Sequence, residues 1–352
     1  MHRNLFLSRK KYWILVFCFL TIVYFSLFKK NQKFETKAQV IHVALASCGS
    51  SRIDETFNMI KSSVINTKSP IHFYIFTEFE NQDLFKIEFK KWPRNFVKKF
   101  NFEFLEPEFP KSNDIDWKGM YAPCSAQRLF LPSIMKNVDS VLYIDSDSLV
   151  LKDLKLFWDQ FKDFDEFQMI GAAWEAEQES LSYYNSSINV PFYGKKGINA
   201  GILMMNFTRM REFEFIEKLI PYAKKYTNLR WGDQCLLNIV LHFNPKIVKL
   251  IDCSWNYRLE HCRFLVSECR NAENYGIGIL HGSRQVFKKT NFYDEPIFRS
   301  VYKFFNQYDF ELDSKSEIHQ VMTKLFLENK VTNEFCGLRK NLFLKSLQIN
   351  LL

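Results

Sequence analysis

The 352-residue chain contains enough apolar sequence for a sizeable core, since 47% of its residues are hydrophobic and 37 are Phe. Its net charge of +9 does not indicate a nucleic-acid partner, because residues 1–37 hold eight Lys or Arg against one Glu and the remainder carries only about +2. The length allows two domains or one large α/β domain preceded by a stem.

The first predicted element is a membrane-spanning helix at residues 12–28. This run has no charged residue, and basic residues flank it on both sides. It lies at the short end of the spanning range. A cleaved signal peptide is the alternative, but the run is long for the apolar part of such a peptide and no convincing A-x-A site follows it. We therefore expect an uncleaved signal anchor at 12–28, a cytoplasmic tail at 1–11 and a stem at 29–39.

Basic residues are equally numerous on the two sides of this run, so they do not set its orientation. We expect the large C-terminal part to enter the lumen, with weak support from N-glycosylation sequons at Asn185 and Asn206. A short span suits the thinner membranes of the early secretory pathway. The prediction is a single-pass type II protein of the Golgi or endoplasmic reticulum membrane.

Seven of the eight cysteines follow the predicted anchor, in a compartment expected to be oxidising, so one of them should be unpaired. Cys253, Cys262 and Cys269 cluster near His261, which makes a zinc site conceivable. Their spacing lacks the close Cys-x2-Cys pair that is usual in structural zinc sites. Disulfides are therefore favoured, although the spacing does not assign their pairing.

Strand-like and helix-like segments alternate after residue 39. Strands are predicted at residues 40–46, 71–77 and 100–105, and helices at residues 52–66 and 81–92. This alternation predicts a mostly parallel sheet with helices on its faces. Ligands of such sheets bind at the carboxyl ends of the strands. The polar residues after the first strand and the acidic residues described below both fall at such ends.

A further helix is predicted to begin within residues 124–132 and to lead into the next strand. Arg128 lies on this helix. A solvated position is the default for any Arg, and the functional alternative is a bidentate partner for a phosphate or carboxylate in the site. The sequence position does not decide between the two.

The most informative stretch is residues 139–151, where an apolar run places Asp145 and Asp147 at a strand end. In an extended chain alternate side chains share a face, so both carboxylates can point to one Mn²⁺ or Mg²⁺. A polar turn is the simpler interpretation, but apolar residues on both sides indicate partly buried carboxylates, which need a cation or hydrogen-bond donors. An EF-hand is excluded, because its sixth and twelfth positions would be Val150 and Leu156. An aspartyl-phosphate phosphatase remains a weak rival.

Two later segments carry further candidate residues. A strand predicted at residues 198–205 is interrupted by Asn199, Ala200 and Gly201. A glycine weakens a strand unless something approaches its backbone closely, and a sugar ring is a candidate for that role. A later helix begins near Asp233, which is equally consistent with an N-cap and with a carboxylate that holds the hydroxyls of a donor sugar.

A last strand is predicted at residues 275–280 and delivers His281. A lone His is more often structural than a ligand. This one follows a buried strand and precedes a Gly, as at the other candidate strand ends. An imidazole with two carboxylates is a credible Mn²⁺ ligand set.

The order of four short motifs, D-S-D, N-A-G, W-G-D-Q and L-H-G, resembles that of the retaining glycosyltransferases of family 8, the group that includes glycogenin. Longer segments are similar to the glucoside xylosyltransferases of animals, namely H-V-A-L-A-S-C-G, P-C-S-A-Q-R-L-F-L-P, P-F-Y-G-K-K-G-I-N-A-G, W-G-D-Q-C-L-L-N, C-S-W-N-Y-R-L-E-H-C and I-L-H-G-S-R. This resemblance implies an α/β fold of the GT-A type at residues 40–310, with a mixed, mostly parallel sheet flanked by helices. We expect a helical extension at residues 311–352.

The resemblance also implies a UDP-sugar donor, a Mn²⁺ or Mg²⁺ cofactor and retention of anomeric configuration. The implied metal ligands are Asp145, Asp147 and His281. The implied donor- and nucleotide-binding residues are Ala46, Ser47, Cys48, Arg128, Asn199, Ala200, Gly201 and Arg284. Asp233 and Gln234 are implied as the catalytic pair that contacts the donor sugar.

The similarity to the glucoside xylosyltransferases implies transfer of xylose from UDP-xylose, in α1,3 linkage, to glucose O-linked on the EGF-like repeats of Notch-type proteins. Cys235 departs from close relatives, which carry a second Asp after the Gln, and this puts the fine sugar specificity in question. Another retaining UDP-hexose transferase, glucosyl or galactosyl, is the alternative, and a non-catalytic glycan-binding protein is the alternative of a different class. No carboxylate is an assured covalent nucleophile, so we expect front-face attack with Asp233 positioning the donor.

Overall fold

The structure is a computed structural model, and it describes residues 39–111, 114–263, 268–288, 295–310 and 315–348. The predicted cytoplasmic tail and membrane anchor lie outside these residues, as does the predicted stem except at Gln39. Within the described part of the chain, no helix is both long enough and apolar enough to cross a bilayer.

Strands and helices alternate along the described chain. The strands are β1 (Ile41–Ala46), β2 (Ile71–Phe76), β3 (Phe100–Leu105), β4 (Ser140–Ile144), β5 (Ser148–Val150), β6 (Ile170–Trp174), β7 (Ile198–Asn206), β8 (Val248–Leu250) and β9 (Ile279–His281). The helices are α1 (Ile53–Asn66), α2 (Phe79–Lys91), α3 (Arg94–Val97), α4 (Gln127–Ile134), α5 (Leu154–Trp158), α6 (Tyr183–Ser187), α7 (Phe207–Glu212), α8 (Phe215–Lys225), α9 (Gly232–Phe243), α10 (Leu259–Cys262), α11 (Arg270–Tyr275), α12 (Pro296–Asn306), α13 (Lys315–Glu328) and α14 (Lys340–Gln348).

The main sheet has the strand order β3-β2-β1-β4-β7-β6-β8. Strands β3, β2, β1 and β4 run parallel to one another, whereas β7 runs antiparallel to both β4 and β6. The expected mixed, mostly parallel sheet is confirmed. Because β1 and β4 are parallel neighbours, the residues that follow them meet at one edge of the sheet. Strand β5, which follows β4 in the chain, pairs with the distant β9 to form a small antiparallel ribbon.

Both faces of the main sheet are buried, as expected where helices cover a parallel sheet. Val43 and Leu45 of β1 pack in one apolar cluster with Phe57 of α1. Ala44 packs in a second cluster with Leu129 of α4. A third cluster joins the β5–β9 ribbon to the apolar faces of α12, α13 and α14. The C-terminal helices therefore support the ribbon that carries His281.

Two predicted elements differ from the structure. The strand predicted at residues 275–280 is wrong for most of its length, because Arg270–Tyr275 form α11 and β9 covers Ile279–His281. Gly276 has a φ of 87°, which glycine adopts without steric cost, and the helix ends there. The interruption predicted within residues 198–205 takes a different form, because β7 is continuous but its pairing with β6 shifts register there, with Ala172 opposite Leu203 and Trp174 opposite Ile198.

The described cysteines form three disulfides, Cys48–Cys124, Cys253–Cys269 and Cys262–Cys336, and Cys235 is free and buried. The preference for disulfides over zinc is confirmed. The Cys48–Cys124 bridge joins the end of β1 to the segment that precedes α4. It therefore ties together two walls of the cavity described next.

Candidate active site

A cavity of about 320 Å³ opens at the carboxyl ends of β1 and β4. It brings together most of the predicted site residues, namely Ala46, Cys48, Arg128, Asp145, Asp147, Asn199, Gly201, Asp233, Gln234, His281 and Arg284. Two predicted residues do not line it. Ser47 is buried and its hydroxyl accepts a hydrogen bond from Thr56. Ala200 contributes its backbone, which bonds to Arg128 and Gln234.

Asp145 and Asp147 converge with His281 at the floor of this cavity. The two aspartates follow β4 in a turn, and not in the extended chain that we expected. One ligand atom from each of the three residues lies within 4.8 Å of the other two. His281 Nε2 is 3.5 Å from Asp147 Oδ1 and 3.8 Å from Asp145 Oδ2. Two carboxylates and an imidazole at these distances suit a divalent cation such as Mn²⁺.

The two aspartates differ in their electrostatic surroundings. Burial raises the pKa of Asp145, although Arg128 opposes this shift. Burial acts in the same direction on Asp147, but the hydrogen bond and charge of His281, together with the charge of Arg52, lower its pKa overall. Arg52 lies 3.6 Å from Asp147. The two aspartates are therefore close like charges, and Arg128 compensates Asp145 while His281 and Arg52 compensate Asp147.

Arg128 is not a solvated helix residue. Its guanidinium is buried and lies 3.2 Å from Asp145 and 2.8 Å from Asp233. It also stacks over the ring of Tyr143, 4.8 Å from the ring centroid. Arg128 thus connects Asp145 on one side of the cavity to Asp233 on the other. Its predicted contact with a phosphate stays a prediction.

Asp233 and Gln234 lie in the first turn of α9. Asp233 is not the N-cap, because Trp231 occupies that position and caps with no side-chain hydrogen bond. Asp233 is 2% exposed, lines the cavity and is paired with Arg128. Gln234 accepts a hydrogen bond from the backbone N–H of Ala200 at 3.0 Å. The functional alternative for Asp233 is therefore favoured over the N-cap.

Sequence analysis missed Glu175, which follows β6 and lines the cavity. Its carboxylate accepts hydrogen bonds from Asn199, Gln234 and Arg258, at 3.0, 3.2 and 3.1 Å. Arg258 is fully buried. The signal was present in the sequence, because Glu175 directly follows the apolar strand I-G-A-A-W and so ends a strand in the same way as Asp145.

Arg284 lines the cavity opposite the metal ligands. It pairs with Glu260, lies 3.9 Å from Glu175 and stacks over Tyr183 at 4.5 Å. Although burial opposes it, the charges of Arg284 and Arg258 lower the pKa of Glu260 to about 2. Arg284 is thus held in the cavity wall as a cation.

Gly201 lines the cavity and is in close contact with Asp145 and His281. A Cβ at this position would lie 2.2 Å from Cε1 of His281 and 2.9 Å from Oδ2 of Asp145. The expectation that something approaches this glycine is confirmed, but the approaching groups are protein side chains. The absence of a side chain in β7 lets β9 and the turn after β4 come together.

We expect Gly201→Ala to lower Mn²⁺ affinity by about 10-fold or more while the protein stays folded, because the added methyl group must displace the His281 ring. Calorimetric titration with Mn²⁺ measures this change. Gly49→Ala is the control, since its Cβ would meet nothing within 4 Å and the cost comes from its φ of +80°. Unchanged Mn²⁺ affinity in a folded Gly201→Ala protein would contradict this account.

Cys235 lies on α9 but does not line the cavity. It is buried, and its sulfur accepts a hydrogen bond from the backbone N–H of Trp231 at 3.4 Å. Burial raises the pKa of its thiol to about 11. Its thiol also interacts with the side chain of Tyr184, and it makes no direct contact with the cavity.

Comparison with known proteins agrees with this geometry. The sequence profile of Glycosyl transferase family 8 matches residues 17–281. Glucoside xylosyltransferase 1 of Mus musculus is 38% identical over 320 residues, which covers 87% of this chain and 77% of that protein. Glucoside xylosyltransferase 2 of Mus musculus is 35% identical over 320 residues, covering 88% and 70%.

Among solved structures, the galactosyltransferase LgtC in complex with donor and acceptor sugar analogues superposes with a TM-score of 0.57. It is 18% identical and the match covers 79% of this chain and 99% of that one. At this level of identity the similarity concerns the fold, and the expected GT-A-like fold is confirmed.

Proposed function

This chain belongs to glycosyltransferase family 8, and on that premise we propose that it transfers xylose from UDP-xylose to a glucoside with retention of anomeric configuration. The supporting observation is the convergence of Asp145, Asp147 and His281 on the cavity that also contains Asp233 and Gln234. The names of the relatives at 35–38% identity support xylose as the donor sugar. A D-x-D phosphatase is not supported, because here the motif follows β4 and not the first strand.

The residues at the cavity floor fit a divalent cation. Two carboxylates and an imidazole are hard or borderline ligands of the kind that Mn²⁺ and Mg²⁺ use, and they already lie within coordination reach of one point. Partly buried carboxylates this close to each other need such compensation. When bound, the cation would neutralise negative charge on the diphosphate of the leaving UDP.

The protein residues position the donor around this point. Arg128 holds Asp145 and Asp233 in a fixed relation, so the diphosphate side and the sugar side of the donor are aligned together. Asp233 forms an ion pair with Arg128. This pairing supports a role for Asp233 in orienting the donor sugar and not in covalent attack. We therefore retain front-face attack, in which the departing phosphate oxygen takes the proton of the acceptor hydroxyl.

Three aromatic rings at the cavity support a carbohydrate acceptor. Tyr121 and Tyr183 each pack edge-on against Trp231, with centroid distances of 5.9 and 6.1 Å. Binding sites with aromatic walls and a few placed polar groups are typical of small organic ligands. We propose O-linked glucose on EGF-like repeats as the acceptor, on the basis of the family resemblance. A retaining glucosyl- or galactosyltransferase is the second candidate.

We also propose that the protein is a type II membrane protein of the Golgi or endoplasmic reticulum. The support comes from the apolar run at residues 12–28 and from the disulfides of the described chain, since disulfides persist in oxidising compartments. Asn185 of the first sequon is exposed, whereas Asn206 of the second caps α7 with its side chain.

A donor panel tests the function. The full-length protein is incubated with Mn²⁺, an O-glucosylated EGF-like repeat and each of UDP-xylose, UDP-glucose and UDP-galactose, and the repeat is weighed by mass spectrometry. We expect a pentose increment with UDP-xylose that forms about 10- to 200-fold faster than any hexose increment, if packing around the missing hydroxymethyl decides. The matched control is the same repeat without O-glucose, which should not be modified.

A hexose increment that forms as fast as the pentose increment, or faster, would refute xylose as the preferred sugar while leaving the glycosyltransferase assignment intact. Transfer to the repeat that lacks O-glucose would refute the acceptor. Binding of the repeat without any turnover would favour the glycan-binding alternative over an enzyme.

A further inference from the structure

We propose that Asn256 is a positioning residue that holds His281 with its hydrogen on Nδ1, so that Nε2 faces the two metal-binding aspartates. This inference rests on the metal site proposed above and adds the group that orients one of its ligands. Asn256 does not line the cavity. It ends the short turn Cys253–Asn256, which the Cys253–Cys269 disulfide fixes to the start of α11.

The direction of the hydrogen bonds in this network follows from a backbone N–H group, which can only donate. The backbone N–H of Gly201 lies 3.0 Å from the side chain of Asn199 and must donate, so the atom it meets is the amide oxygen of Asn199. The amide NH₂ of Asn199 then points to Glu175, 3.0 Å away, whose carboxylate accepts. The orientation of the Asn199 amide is therefore fixed from both of its ends.

The same reasoning fixes Asn256. A second contact reaches the Asn199 oxygen at 2.9 Å, and this must be the NH₂ of Asn256, because an oxygen cannot donate to an oxygen here. Asn256 consequently presents its own oxygen on the other side. That oxygen lies 2.9 Å from Nδ1 of His281.

An amide oxygen only accepts, so Nδ1 of His281 must carry a hydrogen. In the neutral ring, Nε2 is then the atom with the lone pair, and this atom lies between Asp145 and Asp147. If the ring is doubly protonated, Nδ1 still carries its hydrogen and Nε2 is the atom that loses its own to a metal. The network therefore selects the nitrogen that binds the metal in either case.

Burial makes this selection effective. Asn199, Asn256, His281 and Glu175 are all at most 6% exposed, so water does not compete for their polar atoms. Each of the two amides has its oxygen and its nitrogen engaged, and turning either one would oppose two donors or two acceptors. Hydrogen bonds of this kind to the second nitrogen of a metal-ligating His commonly set its tautomer and orientation.

Mn²⁺ titration of the full-length protein tests the inference. We expect Asn256→Leu, which removes both hydrogen bonds at similar size, to raise the Kd for Mn²⁺ by about 10- to 100-fold. Asn256→Asp keeps an oxygen opposite Nδ1 and should raise the Kd less than Asn256→Leu, although it loses the donor to the Asn199 oxygen. Asn66→Leu is the control for loss of a buried amide, because Asn66 is 5% exposed and donates to the carbonyl of Val150. It should lower the melting temperature without changing the Kd.

The tautomer is read directly, without any variant, from long-range ¹⁵N–¹H spectra of the metal-free wild-type protein. A hydrogen on Nε2 and none on Nδ1 would overturn the inference, as would a folded Asn256→Leu protein with the wild-type Kd for Mn²⁺. If the wild-type protein binds no Mn²⁺ but shows hydrogen on Nδ1, the proposed metal site fails and the orienting role of Asn256 holds.

Discussion

Replacing Asp145 and Asp147 together with Asn is expected to lower divalent-ion-dependent turnover of UDP-sugar by about a thousandfold or more. Neutral amides at both positions remove the charges that hold the cation, and the charge stabilisation lost with it is worth several kcal/mol. Turnover is measured as UDP release with and without an acceptor, across a range of Mn²⁺ concentrations. A parallel calorimetric titration should show that Mn²⁺ binding itself is lost.

The fold should survive this double replacement. Arg128 keeps its contact with Asp233, at 2.8 Å, and with the carbonyl of Ala200. Asp159→Asn is the matched control. Asp159 forms ion pairs with Lys155 and Lys162 at the surface, and it does not line the cavity. Its turnover and Mn²⁺ affinity should equal those of the wild type. Full turnover in a folded Asp145→Asn, Asp147→Asn protein would eliminate the proposed metal site.

Arg258→Met should lower the free energy of unfolding by about 3–5 kcal/mol, because it leaves the buried carboxylate of Glu175 without its closest cation. Arg258 is fully buried, lies 3.1 Å from Glu175 and also donates to two backbone carbonyls. Arg284 cannot readily replace it, since it lies 3.9 Å away and is paired with Glu260. Urea denaturation measures the change.

A double-mutant cycle separates the charge from the packing. Glu175→Gln combined with Arg258→Met should recover part of the lost stability, because the uncompensated charge is then absent. Lys324→Met is the surface control. Its ion pair with Glu328 is exposed and 3.9 Å long, so its loss should cost about 0–1 kcal/mol. A similar small cost for Arg258→Met would show that the buried pair does not hold the cavity wall in place.

The alternation of strands and helices could be predicted from the sequence because apolar residues recur at the regular spacing of each type of element. Strands at residues 40–46 and 100–105 are reproduced with bounds of Ile41–Ala46 and Phe100–Leu105. The metal ligands could be found for a related reason. Asp145 follows a buried strand that is a parallel neighbour of β1, and the carboxyl ends of such strands place their following residues at one edge.

Short elements were less predictable, because local sequence does not fix them. Residues 275–280 are apolar enough for a strand, but Gly276 ends a helix there and β9 is limited to the residues that pair with β5. The register of that pairing sets Leu280 opposite Leu149 and His281 opposite Ser148. Tertiary pairing, and not propensity, therefore delivers His281 to the two aspartates.

The sequence by itself determined the kinds of groups at the site and their positions at strand ends, since hydrophobic period and charge are local properties of the chain. Only the tertiary structure decided how those groups are connected. Glu175 accepts hydrogen bonds from Asn199 and Arg258, and Asn256 donates to Asn199, through contacts that span 24 to 83 positions in the chain. The direction of each hydrogen bond depends on which donors and acceptors face each other in the folded protein, and no spacing in the sequence encodes that.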